Sequence, residues 1–321
     1  MSGILSICTL FEGSYHYGLG PLVNSLYANG YRGVIWAGYR GALPPWAQPR
    51  LAGRGFEEFQ AAPGCVIRFV PLETPAHLTN HKPDFMLSLF DGLAKDADAL
   101  FYFDPDIVVC ETWRYFEEWI SCGVAVCEDV NSPYPLQHPR RIGWRRFFGE
   151  RGIQLRPREA YYANGGFIGV RRQDRAFLEL WRQLQDCLWE ALGGAHYAGI
   201  PGKESIDGRS GFFDGFRQPD QDALNATIEA AGEELGVSFD NQQSMGFLPG
   251  RAMLPHALGP GKPWQRRDIA AALQGRPPRR VDKEYWRYAD GPIRVFTGRE
   301  LCYRRAALKI AAAIGRFIRR N

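Results

Sequence analysis

The sequence contains no long apolar segment, and this absence argues against a protein with transmembrane helices. A transmembrane helix needs about 20 consecutive apolar residues, and no segment of the 321 residues approaches that length. The first eleven residues also lack the basic start and the small-residue cleavage site of a secretory signal peptide. We therefore expect a cytoplasmic protein without a membrane-spanning helix.

The sequence also has little net charge, but that charge is unevenly distributed. There are 39 Lys and Arg against 35 Asp and Glu, a net charge of +4. Residues 298–321 hold seven basic side chains and one acid, so the other 297 residues carry 32 basic and 34 acidic groups and a net charge of −2. A body without excess basic charge is not typical of nucleic-acid-binding proteins, and we expect no nucleic-acid partner.

Closely spaced pairs of cysteines are absent as well. None of the seven cysteines forms a CxxC motif, and several lie in apolar runs such as the one that ends at Cys8. This pattern is typical of buried free thiols in a reducing compartment.

Short apolar runs alternate with helical patterns along the first hundred residues. Strands are predicted at residues 4–11, 33–37, 65–70 and 99–103, and helices at 20–28 and 83–95. Further strands are predicted at 123–127 and 166–170, followed by a long helix at 174–192. The alternation predicts an α/β fold whose sheet is largely parallel and covered by helices on both faces.

The sharpest local feature is Asp104-Pro105-Asp106, which follows the predicted strand 99–103. In parallel α/β sheets, ligands bind beyond the carboxyl ends of the strands. Two carboxylates at such a place repel each other unless a cation neutralises them, and a divalent metal ion is the usual solution. The alternative interpretation is a surface turn with two solvated acids.

A second motif, His-x-x-Gly-x-x-Lys-Pro-Trp, runs from His256 to Trp264. A neutral imidazole can bind a metal ion, Gly259 permits close approach of a ligand to the backbone, and Lys262 can contact an anionic phosphate. Taken alone, His256 is equally compatible with a core histidine, and Lys262 with a solvated charge.

Together these motifs resemble those of the retaining nucleotide-sugar glycosyltransferases of glycosyltransferase family 8. The block that begins at Asn164 resembles the family's Asn-Ala-Gly block, and the block that begins at Asp220 resembles its Asp-Gln-Asp-x-Leu-Asn block. The resemblance covers roughly residues 4–264. Pro105, in the middle of the DxD motif, departs from the pattern and removes a backbone donor.

The resemblance implies a fold and a set of site residues. The fold is a GT-A (Rossmann-like) α/β fold with a mixed, mostly parallel sheet flanked by helices, in a catalytic domain over residues 1–265, followed by a helical C-terminal extension over 266–321. A Mn²⁺ or Mg²⁺ ion would be held by Asp104, Asp106 and His256. The implied donor-binding residues are Thr9, Tyr15, Lys82, Asp104, Asn164, Gly259 and Lys262. The implied catalytic residues are Asp220, Gln221 and Lys262.

The implied activity is metal-dependent transfer of a hexose from a nucleotide sugar, expected to be UDP-linked, to a saccharide or glycolipid acceptor, with retention. Gln221 is a weak nucleophile, so front-face attack assisted by the departing phosphate is favoured. One alternative is a catalytically degenerate nucleotide-sugar-binding protein. Another is a haloacid-dehalogenase-type phosphohydrolase, in which a DxD motif also follows an apolar strand but the motif at His256 has no role.

Two segments are candidates for contact with the acceptor. Residues 137–148 interleave basic and aromatic side chains, which suit either a sugar or lipid-phosphate acceptor or a solvated helix face over buried aromatics. The Gly-rich segment 193–219 contains His196, Asp207 and Asp214, which could line the acceptor side.

The C-terminal segment 299–320 has the pattern of a basic amphipathic helix. On a helical wheel one side carries Ile310, Ile314, Phe317 and Ile318, and another carries Arg305, Lys309, Arg316 and Arg320. Such a helix is typical of binding to an anionic membrane surface, and would make the protein peripheral on the inner face of the membrane. The alternative is a terminal helix docked on the body.

Overall fold

The computed structural model describes residues 3–48, 50–53, 55–195 and 215–318. The strands in these ranges are β1 (Leu5–Glu12), β2 (Gly33–Arg40), β3 (Arg50–Gly53), β4 (Phe56–Ala62), β5 (Cys65–Pro71), β6 (Ala99–Phe103), β7 (Val124–Glu128), β8 (Ala163–Arg171) and β9 (Val237–Asp240). The helices are α1 (His16–Ala28), α2 (Lys82–Asp91), α3 (Trp113–Trp119), α4 (Pro139–Gly149), α5 (Ala176–Leu192), α6 (Pro219–Ala230), α7 (Asp268–Leu273), α8 (Arg280–Tyr288) and α9 (Gly298–Phe317). The α/β class predicted from the sequence is confirmed.

The chain divides into two compact units. Unit 1 comprises Met1–Leu10, Leu72–Phe103 and Phe116–Gln242, and unit 2 comprises Phe11–Pro71, Asp104–Tyr115 and Gln243–Asn321. The division into a catalytic domain over residues 1–265 and an extension over 266–321 stays a prediction.

Unit 1 contains strands in the order β1-β6-β8-β7-β9. β6 is parallel to β1, with Leu5 opposite Ala99, and antiparallel to β8. β7 is antiparallel to β8 and parallel to β9. All five residues of β6 are buried, as expected for a strand that is covered on both faces. The sheet is therefore mixed, and its antiparallel pairs were not evident from the strand–helix alternation.

Helix α5 covers part of unit 1 with a single apolar stripe. Phe177, Trp181, Leu184 and Leu188 recur every three or four residues and are fully buried. The helix ends at Gly193, which adopts a left-handed conformation with φ of 76°. The prediction of a helix over 174–192 with core-facing aromatics is confirmed.

Unit 2 contains strands in the order β3-β4-β5-β2. β2 and β5 are parallel, whereas β4 is antiparallel to both of its neighbours. β4 and β5 form a hairpin around Pro63-Gly64, in which Gly64 has φ of +72°. This hairpin was not predicted from the sequence, although Pro-Gly between two strand patterns is a turn signal.

A helical layer in unit 2 packs around buried aromatic rings. The core consists of Val108, Trp264, Tyr285, Trp286, Ala289 and Leu301. Burying a side chain such as Val108 or Leu301 contributes roughly 1.5–3 kcal/mol. Trp264, the last residue of the second motif, is therefore a core residue.

Helix α9 has one docked face and one exposed face. Leu301, Ala307, Ala311 and Gly315 are buried at a spacing of four to six residues, and α9 packs against α7 and α8. Ile310 and Phe317 remain 51% and 88% exposed. The docked-helix alternative is thus correct for one face of α9, while part of the predicted apolar side faces solvent.

Two predicted helix boundaries were wrong. The helix predicted at 83–95 ends at Asp91, where Gly92 follows as its C-cap. The helix predicted at 20–28 begins at His16, because the preceding 3₁₀ turn, Gly13–Tyr15, leads directly into it.

Within the described ranges, no helix has the length and apolar character required to cross a membrane. All seven cysteines lie in the described part of the chain and none is in a disulfide. Cys8, Cys65 and Cys127 are buried, as predicted, whereas Cys122 and Cys302 are exposed.

Candidate functional site

The DxD segment is held in place by main-chain pairing with the second motif. Residues 106–110 run antiparallel to residues 253–257, with Ile107 paired to His256. The amide of Val108 donates to the carbonyl of Pro255 at 3.0 Å, and the amide of Ala257 donates to the carbonyl of Asp106 at 3.1 Å. The backbone thereby brings together two motifs that are 150 residues apart in the sequence.

Three predicted metal ligands meet in unit 2. His256 Nε2 lies 3.2 Å from Asp106 Oδ1 and 3.7 Å from Asp104 Oδ2. One ligand atom from each residue lies within 4.8 Å of the others, and we call this group the metal cluster. Asp106 and His256 are only 5% and 7% exposed. Two carboxylates and an imidazole fit a divalent ion such as Mn²⁺ or Mg²⁺.

Lys262 joins the metal cluster through a glycine turn. Gly259 and Gly261 have φ of +72° and +78°, left-handed conformations that favour glycine. After this turn the Nζ atom of Lys262 donates to Asp106 Oδ2 at 2.5 Å and to the carbonyl of Ala257 at 2.6 Å. The turn formed by the second motif thus places the ammonium of Lys262 next to the carboxylate of Asp106.

Electrostatics keep both members of the Asp106–Lys262 pair charged. Burial alone would raise the pKa of Asp106, but His256 and Lys262 hold that pKa well below its usual range. Burial alone would lower the pKa of Lys262, whereas Asp106 and Tyr15 raise it. The two carboxylates outnumber the single ammonium in this group, which favours a cation beside Asp104 and Asp106.

Two further residues of unit 2 support this arrangement. The ring edge of Tyr15 packs on Trp264, with centroids 5.6 Å apart, and the Tyr15 ring centroid lies 5.8 Å from Lys262 Nζ. Gly18 of α1 lies so close to the DxD loop that a Cβ atom would stand 2.2 Å from the carbonyl oxygen of Pro105. Gly18 was not predicted from the sequence, although a glycine inside a helical pattern was an available signal.

Other predicted residues meet in unit 1. Lys82 is 1% exposed, and its Nζ atom donates to the carbonyl of Gly165 at 2.7 Å and lies 3.6 Å from Asp220 Oδ2. Gln221 Oε1 accepts a hydrogen bond from the amide of Gly165 at 2.9 Å. A buried ammonium and a carboxylate are thus fixed around one glycine peptide.

Asn164 and Asp129 complete this group. Asn164 Nδ2 donates to Asp129 Oδ2 at 2.6 Å, and Asp129 is 2% exposed. Asp129 was not predicted from the sequence. It follows β7 directly, just as Asp104 follows β6, so its place at the carboxyl end of a strand was the available signal. We call Lys82, Asp129, Asn164, Asp220 and Gln221 the polar cluster.

The remaining residues of the block at Asp220 are structural. Asp222 is fully buried and accepts hydrogen bonds from the hydroxyl of Tyr162 at 2.8 Å and the amide of Gln218 at 2.7 Å. Asp222, and not Asp220, therefore accepts the hydrogen bond from the backbone at the start of α6. Asn225 binds both the amide and the carbonyl of Ala163, and so fixes the start of β8 against α6.

Three other predictions have mixed outcomes. Thr9 is fully buried in β1, its Oγ1 has no hydrogen-bond partner among the described residues, and the strand continues beyond it to Glu12. A solvated basic face over residues 137–148 was wrong for Arg141, which is buried and donates to Glu229 at 2.6 Å. His196, Asp207 and Asp214 lie outside the described residues.

The architecture of the chain is that of the GT-A glycosyltransferases, and comparison with solved structures confirms this fold. The chain is similar to the crystal structure of the galactosyltransferase LgtC in complex with donor and acceptor sugar analogues, with a TM-score of 0.51, 17% identity, and coverage of 93% of this chain and 99% of that one. It is also similar to the apo structure of the bifunctional glycosyltransferase WbbM, with a TM-score of 0.53, 13% identity, and coverage of 95% of this chain but only 52% of that one. No family model matches the chain, and no curated protein matches its sequence.

Proposed function

We propose that this protein is a metal-dependent glycosyltransferase that transfers a hexose from a nucleotide sugar, expected to be UDP-linked, to a saccharide or glycolipid acceptor with retention. The observation that carries the proposal is the metal cluster with Lys262, in a chain that has the GT-A fold. In a haloacid-dehalogenase-type phosphohydrolase the motif at His256 has no role, so its pairing with the DxD segment argues against that alternative.

The metal cluster and Lys262 would act on the leaving diphosphate. Asp104, Asp106 and His256 would hold the ion, and the imidazole favours Mn²⁺ over Mg²⁺. When bound, such an ion acts as a Lewis acid that compensates charge on the diphosphate. Lys262 adds a second positive charge, and because Asp106 and Ala257 already fix its ammonium, little reorganisation is needed when charge develops. Tyr15, Gly259 and Thr9 are proposed donor contacts on the resemblance to family 8.

The polar cluster would act on the sugar. Lys82 and Asn164 are proposed donor contacts, and Asp220 and Gln221 are proposed to lie near the anomeric carbon. The hydrogen bond from the Gly165 amide fixes the Gln221 amide oxygen, and the buried Lys82 ammonium lies 3.6 Å from the partly exposed carboxylate of Asp220. An amide is a weak nucleophile, so front-face attack by the acceptor is the proposed route to retention. NMR of the product's anomeric proton tests this route, because an inverted linkage would contradict it.

A thermal-shift screen tests the donor class. The full chain is heated with UDP-, GDP- or dTDP-hexoses, in Mn²⁺ or in EDTA. A bound donor stabilises the folded state by mass action, by about 2.7 kcal/mol at one hundred times its Kd. We expect a UDP-hexose to raise the Tm in Mn²⁺ and to lose most of that effect in EDTA. Stabilisation that is equal in EDTA would contradict metal-dependent donor binding.

We also propose that α9 places the enzyme on an anionic membrane surface, peripherally on the inner face. Ile310 and Phe317 are exposed apolar residues, and Lys309 and Arg316, each next to one of them, are exposed basic residues. Exposed apolar side chains flanked by cations are the features by which interfacial helices bind anionic lipid.

A further inference from the structure

We propose that unit 1 carries a second saccharide site, for a neutral oligosaccharide, in a cavity that lies outside both the metal cluster and the polar cluster. The cavity has a volume of about 510 Å³ and lies among residues of α4, α6, β7 and β9. This volume falls within the range of small-molecule sites in proteins. Its lining combines aromatic rings with carboxylate, amide and guanidinium groups.

Part of the aromatic lining is accessible. Tyr161 is 43% exposed, and its ring centroid lies 5.0 Å from that of Phe239. A carbohydrate ring presents a face of C–H groups, which packs on an aromatic ring, while its hydroxyls require polar partners at the edge. Large exposed rings beside polar groups supply both kinds of contact.

The charge of the lining selects against anionic ligands. Glu128, Glu159, Glu229 and Asp240 contribute four carboxylates, against two guanidiniums from Arg141 and Arg158. Arg141 is already engaged by Glu229 and by the carbonyls of Tyr134 and Arg158. An excess of two negative charges repels phosphate, nucleotides and sulfated sugars, and leaves neutral hexoses as the class that suits the aromatic pair.

The cavity adjoins the polar cluster of the same unit. Glu128, which lines the cavity, immediately precedes Asp129 in the chain. Asn225, also in the lining, follows Gln221 by one turn of α6, or about 6 Å along the helix axis. In a glycosyltransferase, a site at this distance suits the non-reacting sugar units of a long acceptor. Binding of an oligosaccharide here does not itself require the proposed transfer.

Ligand-observed saturation-transfer NMR on the full chain tests the site, with lactose and maltotriose as neutral probes and a sulfated disaccharide as the anionic probe. The samples contain EDTA and no nucleotide, so that the metal cluster is not involved. We expect a neutral probe to bind, the sulfated probe not to bind, and Tyr161→Ala to weaken neutral binding about fivefold or more. Tyr303→Ala, which removes a 69% exposed ring from α9, is the matched control and should leave binding unchanged.

Asp240→Asn serves as a second variant, because it removes one lining charge without removing a ring. It should admit the sulfated probe better than the wild type does. The proposal is overturned if no neutral probe binds, or if Tyr161→Ala and Tyr303→Ala bind a neutral probe equally well. UDP release measured on the same wild-type protein separates the two proposals: release without neutral-probe binding overturns only the second site, and binding without release overturns only the proposed transfer.

Discussion

At the scale of single residues, the Asp106–Lys262 ion pair explains how a predicted metal ligand stays ionised while it is buried. Burying an uncompensated carboxylate costs several kcal/mol, and Lys262 offsets that cost at a distance of 2.5 Å. The same ammonium would meet the leaving diphosphate, so one side chain has both a structural and a proposed electrostatic task.

Gly18 offers a test of how tightly the DxD loop must be positioned. In Gly18→Ala, the new methyl group would stand 2.2 Å from the carbonyl oxygen of Pro105, so the loop must move. We expect Mn²⁺ affinity to fall about 10- to 100-fold, as with other residues that orient metal ligands. Titration by electron paramagnetic resonance measures this affinity. Gly149→Ala is the control, since a Cβ atom there meets nothing within 4 Å, and equal affinities in the two variants would argue against the positioning role.

Asp222 predicts a pH dependence of stability. Burial raises the pKa of Asp222 to about 7, whereas the pKa of an Asp in an unfolded chain is about 3.9. Between these values the folded chain binds more protons at this residue, so the free energy of unfolding falls as the pH rises, by up to about 4 kcal/mol. Asp222→Asn should remove this decrease in the free energy of unfolding. Urea unfolding at pH 4.5 and 7.5 measures the decrease in each protein. The exposed carboxylate of Asp96 provides the control variant, Asp96→Asn, which should behave as the wild type. Parallel stability curves for wild type and Asp222→Asn would refute the prediction.

At the scale of elements, α9 combines docking with an exposed apolar side, and the two can be separated. The double variant Ile310→Asp/Phe317→Asp alters only side chains that are more than half exposed, so the docked face should remain intact. We expect binding to phosphatidylserine vesicles to fall at least about tenfold, because the burial of two large apolar groups is lost. Co-sedimentation measures the binding, with Leu136→Asp/Leu248→Asp, two exposed leucines outside α9, as the control. Equal sedimentation of the two double variants would dismiss the membrane role.

The sequence predicted those elements whose signal is local. β6 was found with its correct ends because five consecutive apolar residues stop at Asp104. The β4–β5 hairpin was missed because Glu57 and Glu58 interrupt the apolar pattern of β4, and its pairing depends on residues that are distant in the sequence. Strand order and direction in the mixed sheet depend on such long-range contacts, which no local pattern encodes.

The residues of the candidate site likewise include some that lie in local motifs and others that depend on long-range contacts. Asp104, Asp106, His256 and Lys262 were predictable because two short motifs carry them. Asp129 stands outside every motif, and its hydrogen bond with Asn164 arises only when β7 and β8 pair. The sequence also could not separate Asp220, which lies beside Lys82, from Asp222, which binds the start of α6.

At the scale of the whole molecule, the small net charge of +4 is the sum of two different parts. Residues 1–297 are slightly acidic, and their buried acids include Asp106 of the metal cluster and Asp129 of the polar cluster. The excess basic charge belongs to the C-terminal segment that contains α9. The GT-A fold is confirmed over 93% of the chain, whereas the activity rests on the two clusters and must be measured.

The release of UDP from a UDP-hexose in the presence of Mn²⁺ tests the central claim most directly. The wild type and Asp96→Asn should turn over the donor, and Asp106→Asn should lose about 100-fold or more, because it removes both a metal ligand and the partner of Lys262. Addition of EDTA should abolish turnover by the wild type. Donor binding without any release of UDP would instead identify a catalytically degenerate nucleotide-sugar-binding protein, and equal release by Asp106→Asn and the wild type would contradict the proposed metal site.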